Sequence, residues 1–410
     1  MKRILIAFCT LVLLSACSKN DDTKETPKPA DRTVLIYIAG ENTLNVVVPY
    51  DLNEIKEGSK SIGNNNLVVY VDKSSSELPW LARFKDGQVV DSVSIADMGI
   101  STKDEYTSNP AVMEDVIKYA FNKYPATTDY GLVLWGHSTG WIIEDSIPYN
   151  RRGYGVDNGH NTSGNNDGPW INIPTLSEVL SKTKHLKFIF ADCCNFMCLE
   201  SAYELRNVTD YIIGSPAEIP GSGAPYHTVV PAMFESSSFY SSIVDRYFEQ
   251  VINDKKVPLS VIKTSAMNDV ANATRTVLQS VKANIGDAYA DMTGRIHYYN
   301  VGSSYNTFKP QCNIFFDAGD FLQTYAPAAD YANWKQALDK AVIMKRMATT
   351  WNTDKPWNIH YSDFEMTEER YSGVSMFVPQ DPSGYDYGHY NDNIRKLSWY
   401  YAAGLQEIGW

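Results

Sequence analysis

Cys194 closes Phe188-Ile189-Phe190-Ala191-Asp192-Cys193-Cys194, a short apolar run that reads as a buried strand. A second run, Leu132-Val133-Leu134-Trp135-Gly136-His137, ends on a histidine. A His and a Cys at two strand ends bring a base beside a thiol, the minimum for nucleophilic catalysis by cysteine. In open parallel sheets, sites form beyond the carboxyl ends of the strands. Adjacent strands lie about 4.8 Å apart, so as neighbours these two would bring His137 and Cys194 within a few ångströms. A helix opening just after Cys194 would point its N-terminus at the thiol and, with the imidazole, favour thiolate. The plainer reading of Cys194 is a buried structural cysteine.

Asp192 adds a second chemical group. Residues two apart on a strand share a face. Asp192 is therefore expected roughly 6–7 Å from Cys194, on the same side. A carboxylate at the end of a buried strand is costly unless a cation or donors meet it. In a peptidase, that cation is the Arg or Lys side chain before the scissile bond. The alternative is that Asp192 or Asn195 caps the following helix, a task Asn195 can perform alone.

The elements that must position these groups follow from hydrophobic pattern. Strands are expected at residues 33–39, 67–71 and 211–214, with a hairpin over residues 80–84 and 88–94. Apolar pairs recur every four residues from Val112/Met113 to Ala120/Phe121, predicting a helix over residues 110–121. Thr175-Leu176-Ser177-Glu178 has capping-box spacing. A helix is expected from about residue 196 to 206. Strands alternating with helices imply an α/β sandwich of three layers, with a mostly parallel sheet between helices. Beyond residue 258 the pattern loosens. Helices are expected at residues 270–285 and 334–350, and a strand at residues 372–379. Residues 33–258 form the expected core, and residues 259–410 either complete it or form a second subdomain.

The chain has 410 residues, 44% hydrophobic and 20% charged, enough for one large domain or two modest ones. Met1-Lys2-Arg3 and the apolar run Ile4 to Leu14 form a leader too short to span a bilayer. Leu14-Ser15-Ala16-Cys17 resembles a bacterial lipobox. That resemblance implies removal of residues 1–16, lipidation of Cys17, and membrane attachment in the bacterial cell envelope. Residues 17–32 are polar and Pro-containing, a flexible tether. The formal charge moves from −12 to −14 as Lys2 and Arg3 leave with the leader. No basic block invites nucleic acid. Cys193, Cys194, Cys198 and Cys312 remain; a Cys194–Cys198 or Cys198–Cys312 disulfide is open from sequence.

These motifs resemble the clostripain-like cysteine peptidases of the caspase-like clan. That family shows Trp-x-His-Gly-Gly-Gly where this chain has Trp135-Gly136-His137-Ser138-Thr139-Gly140. It shows Phe-Asp-Ala-Cys-Leu-Met where this chain has Phe190-Ala191-Asp192-Cys193-Cys194-Asn195-Phe196. Counting back from Glu200 and Tyr203-Glu204-Leu205 selects Cys194, not Cys193, as nucleophile. Ala39 to Leu44, Gly214 to Gly221 and Ser372 to Pro379 are further echoes. The resemblance implies a caspase-like sandwich and hydrolysis after Arg or Lys by a His137/Cys194 dyad. The Ser138 and Cys194 backbone amides would receive the oxyanion. Asp192 would hold the basic side chain, with Glu218 a further candidate. The resemblance also implies self-cleavage in a loop between the dyad residues; Arg151-Arg152 lie in the polar stretch of residues 150–170. A calcium requirement occurs within the family, but no ligand set argues for it here, because residues 157–167 fit no EF-hand spacing. Ser138 and Thr139 depart from the family's glycines and lack their freedom at positive φ.

Two other readings compete. Gly136-His137-Ser138-Thr139-Gly140 matches the nucleophile elbow of α/β-hydrolases, which would make Ser138 the nucleophile of a serine esterase or peptidase. That elbow must open a helix, yet Pro148 and a polar loop follow. A non-catalytic glycan- or peptide-binding lipoprotein would use the aromatic tail, including Trp357, Tyr361, Tyr385, Tyr387, Tyr390 and Trp399. A zinc site on Cys193, Cys194 and Cys198 has no usual structural spacing.

Overall fold

The computed structural model describes residues 29–143, 153–159, 168–299, 314–352, 361–381 and 389–410. Cys17, Arg151, Arg152 and Cys312 lie outside them, as does the leader. Eleven strands are described: β1 (Ala30–Ala39), β2 (Asn66–Asp72), β3 (Trp80–Lys85), β4 (Gln88–Ser94), β5 (Ala126–Trp135), β6 (Leu186–Asp192), β7 (Thr209–Gly214), β8 (Leu259–Lys263), β9 (Phe316–Asp317), β10 (Val342–Arg346) and β11 (Ser375–Met376). The helices used below are α1 (Val48–Gly58), α2 (Pro110–Lys123), α3 (Ile173–Ser181), α4 (Leu199–Glu204), α5 (Tyr226–Met233), α6 (Phe239–Glu249) and α7 (Met267–Ile285).

Nine strands form one sheet in the order β10-β8-β7-β6-β5-β1-β2-β3-β4. The central five, β2, β1, β5, β6 and β7, run parallel. Both edges are antiparallel, β3 and β4 on one side and β8 and β10 on the other. Strands from before and after residue 258 thus share one sheet.

The alternation of side chains along β1 explains the layers. Leu35, Tyr37 and Ala39 face one core, with α2, α3, α4 and α7. Val34, Ile36 and Ile38 face the other, with α1, α5 and α6. A strand apolar on both faces needs cover on both, so the three-layer α/β sandwich expected from sequence is the one that forms.

The hairpin of β3 and β4 turns at Asp86-Gly87, both at positive φ, as a tight two-residue connection requires. Some boundaries differ from expectation. β1 begins at Ala30, inside the expected tether, because Arg32 is buried and paired with Asp129 at 2.5 Å. Asn172, not Thr175, caps α3; its side chain accepts the Thr175 amide. The expected helix of residues 334–350 stops at Ala341, and the chain continues as β10, whose pairing with β8 outweighs local helical pattern. The strand of residues 372–379 reduces to β11, which pairs with β9.

Candidate active site

The sheet register decides where the two chemical residues meet. Trp135 of β5 pairs with Asp192 of β6. His137 and Cys194 each stand two residues beyond that pair, on adjacent parallel strands at their carboxyl ends. Both line one cleft, together with Leu44, Trp135, Asp192, Ile219 and Pro220. Gly136 permits the turn that aims His137 there: its φ is +146°, and an added Cβ would lie 3.0 Å from the Ala39 carbonyl oxygen.

The imidazole Nε2 of His137 is hydrogen-bonded to the Thr43 hydroxyl at 2.8 Å. Thr43 follows β1, the strand beside β5, which gives the echo at Ala39 to Leu44 a physical role. The thiol of Cys194 receives the Ile219 amide at 3.5 Å. The expected helix dipole does not contribute. α4 starts at Leu199, with Cys198 at its N-cap, so Asn195 caps nothing. Asn195 instead adopts φ +55°, a conformation Asn tolerates better than most residues, and its amide bonds the Ala217 carbonyl.

Asp192 lines the same cleft and is 2% exposed, on the side of the sheet that Cys194 shares. Its carboxylate accepts the Ala224 amide at 3.0 Å and the hydroxyls of Tyr226 at 2.8 Å and Tyr247 at 3.2 Å. Burial nevertheless dominates those donors and pushes its pKa up to about 6. Gly223, at φ +61°, leaves this carboxylate uncovered; a Cβ there would sit 2.7 Å from its Oδ2. A second acid escaped sequence reasoning. Asp51 of α1 accepts the Trp135 indole N–H at 2.7 Å. Burial, then the charge of Asp192, raises its pKa to about 8. Nothing in Asp51-Leu52-Asn53-Glu54, which reads as an ordinary helical stretch, marks it as part of a site. Glu218 is not among the cleft-lining residues; its charge acts on Tyr361.

Ser138 pairs with Tyr154 in an antiparallel bridge. The bonds of that bridge are Gly155 N–H to the His137 carbonyl and Thr139 N–H to the Gly153 carbonyl, both 2.9 Å. In such a pair, the Ser138 amide faces away from Tyr154. Its hydroxyl is buried and accepts the Gly140 amide at 3.1 Å. Residues 138–143 form no helix, so the nucleophile-elbow geometry is not met. Among the described residues, Cys193, Cys194 and Cys198 form no disulfide, so the Cys194–Cys198 bridge left open by the sequence is not formed. Cys193 packs in the core on the opposite face from Cys194, and Cys198 donates to Ser201, an arrangement that assembles no zinc site. Tyr390 and Trp399 are buried in the core, which removes them from a binding surface. Trp357, Tyr385 and Tyr387 lie outside the described residues. Among the described residues, Glu41, Asp72 and Asp157 are the group of acidic side chains able to hold a metal ion.

The clostripain family model, peptidase family C11, matches residues 36–410. The chain belongs to the clostripain family. Clostripain of Hathewaya histolytica is 25% identical over 242 residues, a match covering 52% of this chain but only 45% of clostripain. Two crystal structures cover 92% of this chain and 99% of their own. One is a secreted C11 cysteine protease of Bacteroides thetaiotaomicron bound to an irreversible peptide inhibitor, at 31% identity and TM-score 0.68. The other is an inactive zymogen C11 protease of Parabacteroides distasonis, at 28% identity and TM-score 0.72.

Within the clostripain family pattern, this chain's departures are accommodated. Neither Ser138 nor Thr139 needs positive φ; that demand falls on Gly140, the one glycine of the family's run that this chain keeps, and on Gly136, at the pattern's variable position. Two further echoes of the family meet in space. Glu200 is buried and accepts the Phe377 amide at 2.8 Å, holding the segment around β11 behind the turn that carries Cys194. The Ser375 amide bonds the Met197 carbonyl at 3.0 Å and completes that tie.

Proposed function

We propose that this protein is a cysteine endopeptidase that cleaves after Arg or Lys. Cys194 attacks the scissile carbonyl as thiolate, and His137 takes its proton. The oxyanion that forms accepts hydrogen bonds from the Ser138 and Cys194 amides. His137 then protonates the leaving amine, and water, deprotonated by the same imidazole, releases the acyl group from sulfur. The guanidinium or ammonium before the scissile bond enters the cleft and meets Asp192. Glu218 is left out of this pocket, because it does not line the cleft. The single observation that carries the reading is the pairing of Trp135 with Asp192, which gathers imidazole, thiol and buried carboxylate on one cleft.

A panel of fluorogenic peptides ending in Arg, Lys, Leu or Asp tests it. Hydrolysis of the Arg and Lys peptides is expected, with the Leu and Asp peptides at background. Equal turnover of the Leu peptide would remove Asp192 from its role.

Self-processing belongs to the same proposal. Arg151 and Arg152 lie between the dyad residues in sequence, and a relative is described as an inactive zymogen. Intact mass spectrometry is expected to find two chains joined non-covalently after cleavage at Arg151 or Arg152, and one uncut chain in Cys194→Ala. Uncut chains in both would refute processing. Among the described residues, no helix is long and apolar enough to cross a membrane. A relative is described as secreted, and the lipobox at Cys17 supports attachment to the cell envelope by lipid.

A further inference from the structure

The cleft has a second acid behind its wall, to which the proposed reaction gives no task. Asp51, in the first turn of α1, is 3% exposed. It does not line the cleft. The Trp135 indole does, and donates its N–H to Asp51 Oδ2 at 2.7 Å. The indole nitrogen and the Asp192 carboxylate also meet at Gly223: a Cβ added there would lie 3.5 Å from Trp135 Nε1 and 2.7 Å from Asp192 Oδ2. Two carboxyls thus lie near one indole edge. The titratable groups that face Asp51 are Glu54 from its own helix, Asp192 from β6, Tyr226 from α5 and Tyr247 from α6. Both tyrosines donate to Asp192, and burial keeps them neutral. Glu54 is committed to α5, accepting the Tyr226 amide at 2.8 Å and pairing with His227 at 3.3 Å. Among the described residues, no Lys or Arg bears on Asp51.

We propose that Asp51 is a positioning residue of the specificity pocket that gives up its proton when the substrate's Arg or Lys side chain meets Asp192. The inference rests on the proposed entry of that side chain. In the empty pocket, two buried carboxyls this close are not both ionised at neutral pH. Asp192, with three donors, takes the charge, and Asp51 keeps its proton up to about pH 8. Burial is the first cause and the charge of Asp192 the second. A guanidinium or ammonium paired with Asp192 cancels that charge and adds an attraction of its own. The Asp51 O–H bond then breaks, and the proton leaves to solvent.

The effect reaches the substrate through Trp135. A hydrogen bond to an ionised acceptor is roughly twice as strong as one between neutral groups. Loss of the Asp51 proton therefore tightens the hold on the indole while the basic side chain lies against it, and a Trp face is the best aromatic partner for a cation. The filled pocket sets two carboxylates against one cation, where the empty pocket carries one. A Leu side chain has no charge with which to displace the proton. Discrimination between basic and neutral residues thus grows as pH rises.

The test uses the full chain carrying Cys194→Ala, which binds peptides without turnover or self-cleavage. The probes are N-acetylated peptides ending in Arg amide or Leu amide, with no other titrating group. Titration calorimetry in buffers of different ionisation enthalpy counts the protons released. At pH 7.5 the Arg peptide is expected to release about half a proton or more, and its affinity to rise about fivefold or more between pH 7 and pH 9. Asp51→Asn keeps an acceptor for the indole and loses the titration. It is expected to release at most about a tenth of a proton and to hold that rise within about twofold. The count in the parent needs no substitution at Asp51. Tighter binding of the Arg than of the Leu peptide with no proton released would overturn the inference and leave the specificity reading intact, as would equal release in Asp51→Asn. Equal binding of the two peptides would overturn both.

Discussion

Cys194→Ala is expected to lower hydrolysis of an Arg peptide by at least about 10⁴-fold, because the bond-forming atom is gone and the remaining site gives only binding and oxyanion stabilisation. Ser138→Ala should keep activity within about tenfold, since it retains the backbone amide and loses the hydroxyl's contacts with the Gly140 amide and Cys193, each worth about 1 kcal/mol. Steady-state kinetics on both variants check the pair. Retained activity in Cys194→Ala with loss in Ser138→Ala would reverse the assignment. The contrast has a structural basis: the thiol lines the cleft, while the serine hydroxyl is turned into its own loop.

Asp192→Asn is expected to lower kcat/KM for Arg and Lys peptides by about 10²-fold or more, as loss of one partner from a desolvated charge pair does. The same substitution should not lower the melting midpoint at pH 8. Asp192 has a folded pKa near 6, above its ordinary value of 3.8. The folded state therefore binds the proton more tightly than the unfolded state. Stability from this group is complete below about pH 4 and declines as pH rises through 6, by about 3 kcal/mol. At pH 8 the wild-type protein carries that penalty until a basic side chain enters, and asparagine does not. Thermal melting at pH 5 and pH 8 with Arg-peptide kinetics separates the effects. A variant that melts far lower at pH 8 would mark Asp192 as structural instead.

The penalty and the proposed specificity share one cause. A carboxylate buried at the end of β6 is expensive when empty and selective when filled. Tyr226, Tyr247 and the Ala224 amide reduce the expense without removing it. Asp51, held beneath by Trp135, keeps its proton up to about pH 8 and so stands beside Asp192 as a neutral carboxyl.

Much of this was legible in the chain itself. A strand's apolar run locates its end, and period two assigns Asp192 to the face of Cys194 without coordinates. The hairpin over residues 80–84 and 88–94 was legible from its two strand patterns, and the structure turns it at Asp86-Gly87. Helix starts were less legible. Asn172 capped where Thr175 was expected, and α4 opened at Leu199, since caps depend on local backbone geometry that several polar residues can satisfy.

The trio of Glu41, Asp72 and Asp157 had no sequence signal at all. Its members come from a loop, a strand end and a segment beyond β5, and an EF-hand search sees only ligands close in sequence. Asp51 escaped for the same reason. Local pattern determines which residues form strands, which face each side chain takes, and that a histidine and a cysteine sit at strand ends. Which strands become neighbours, and which acids face one another across them, is decided by long-range packing. That packing alone set β5 beside β6 and turned two strand ends into one cleft.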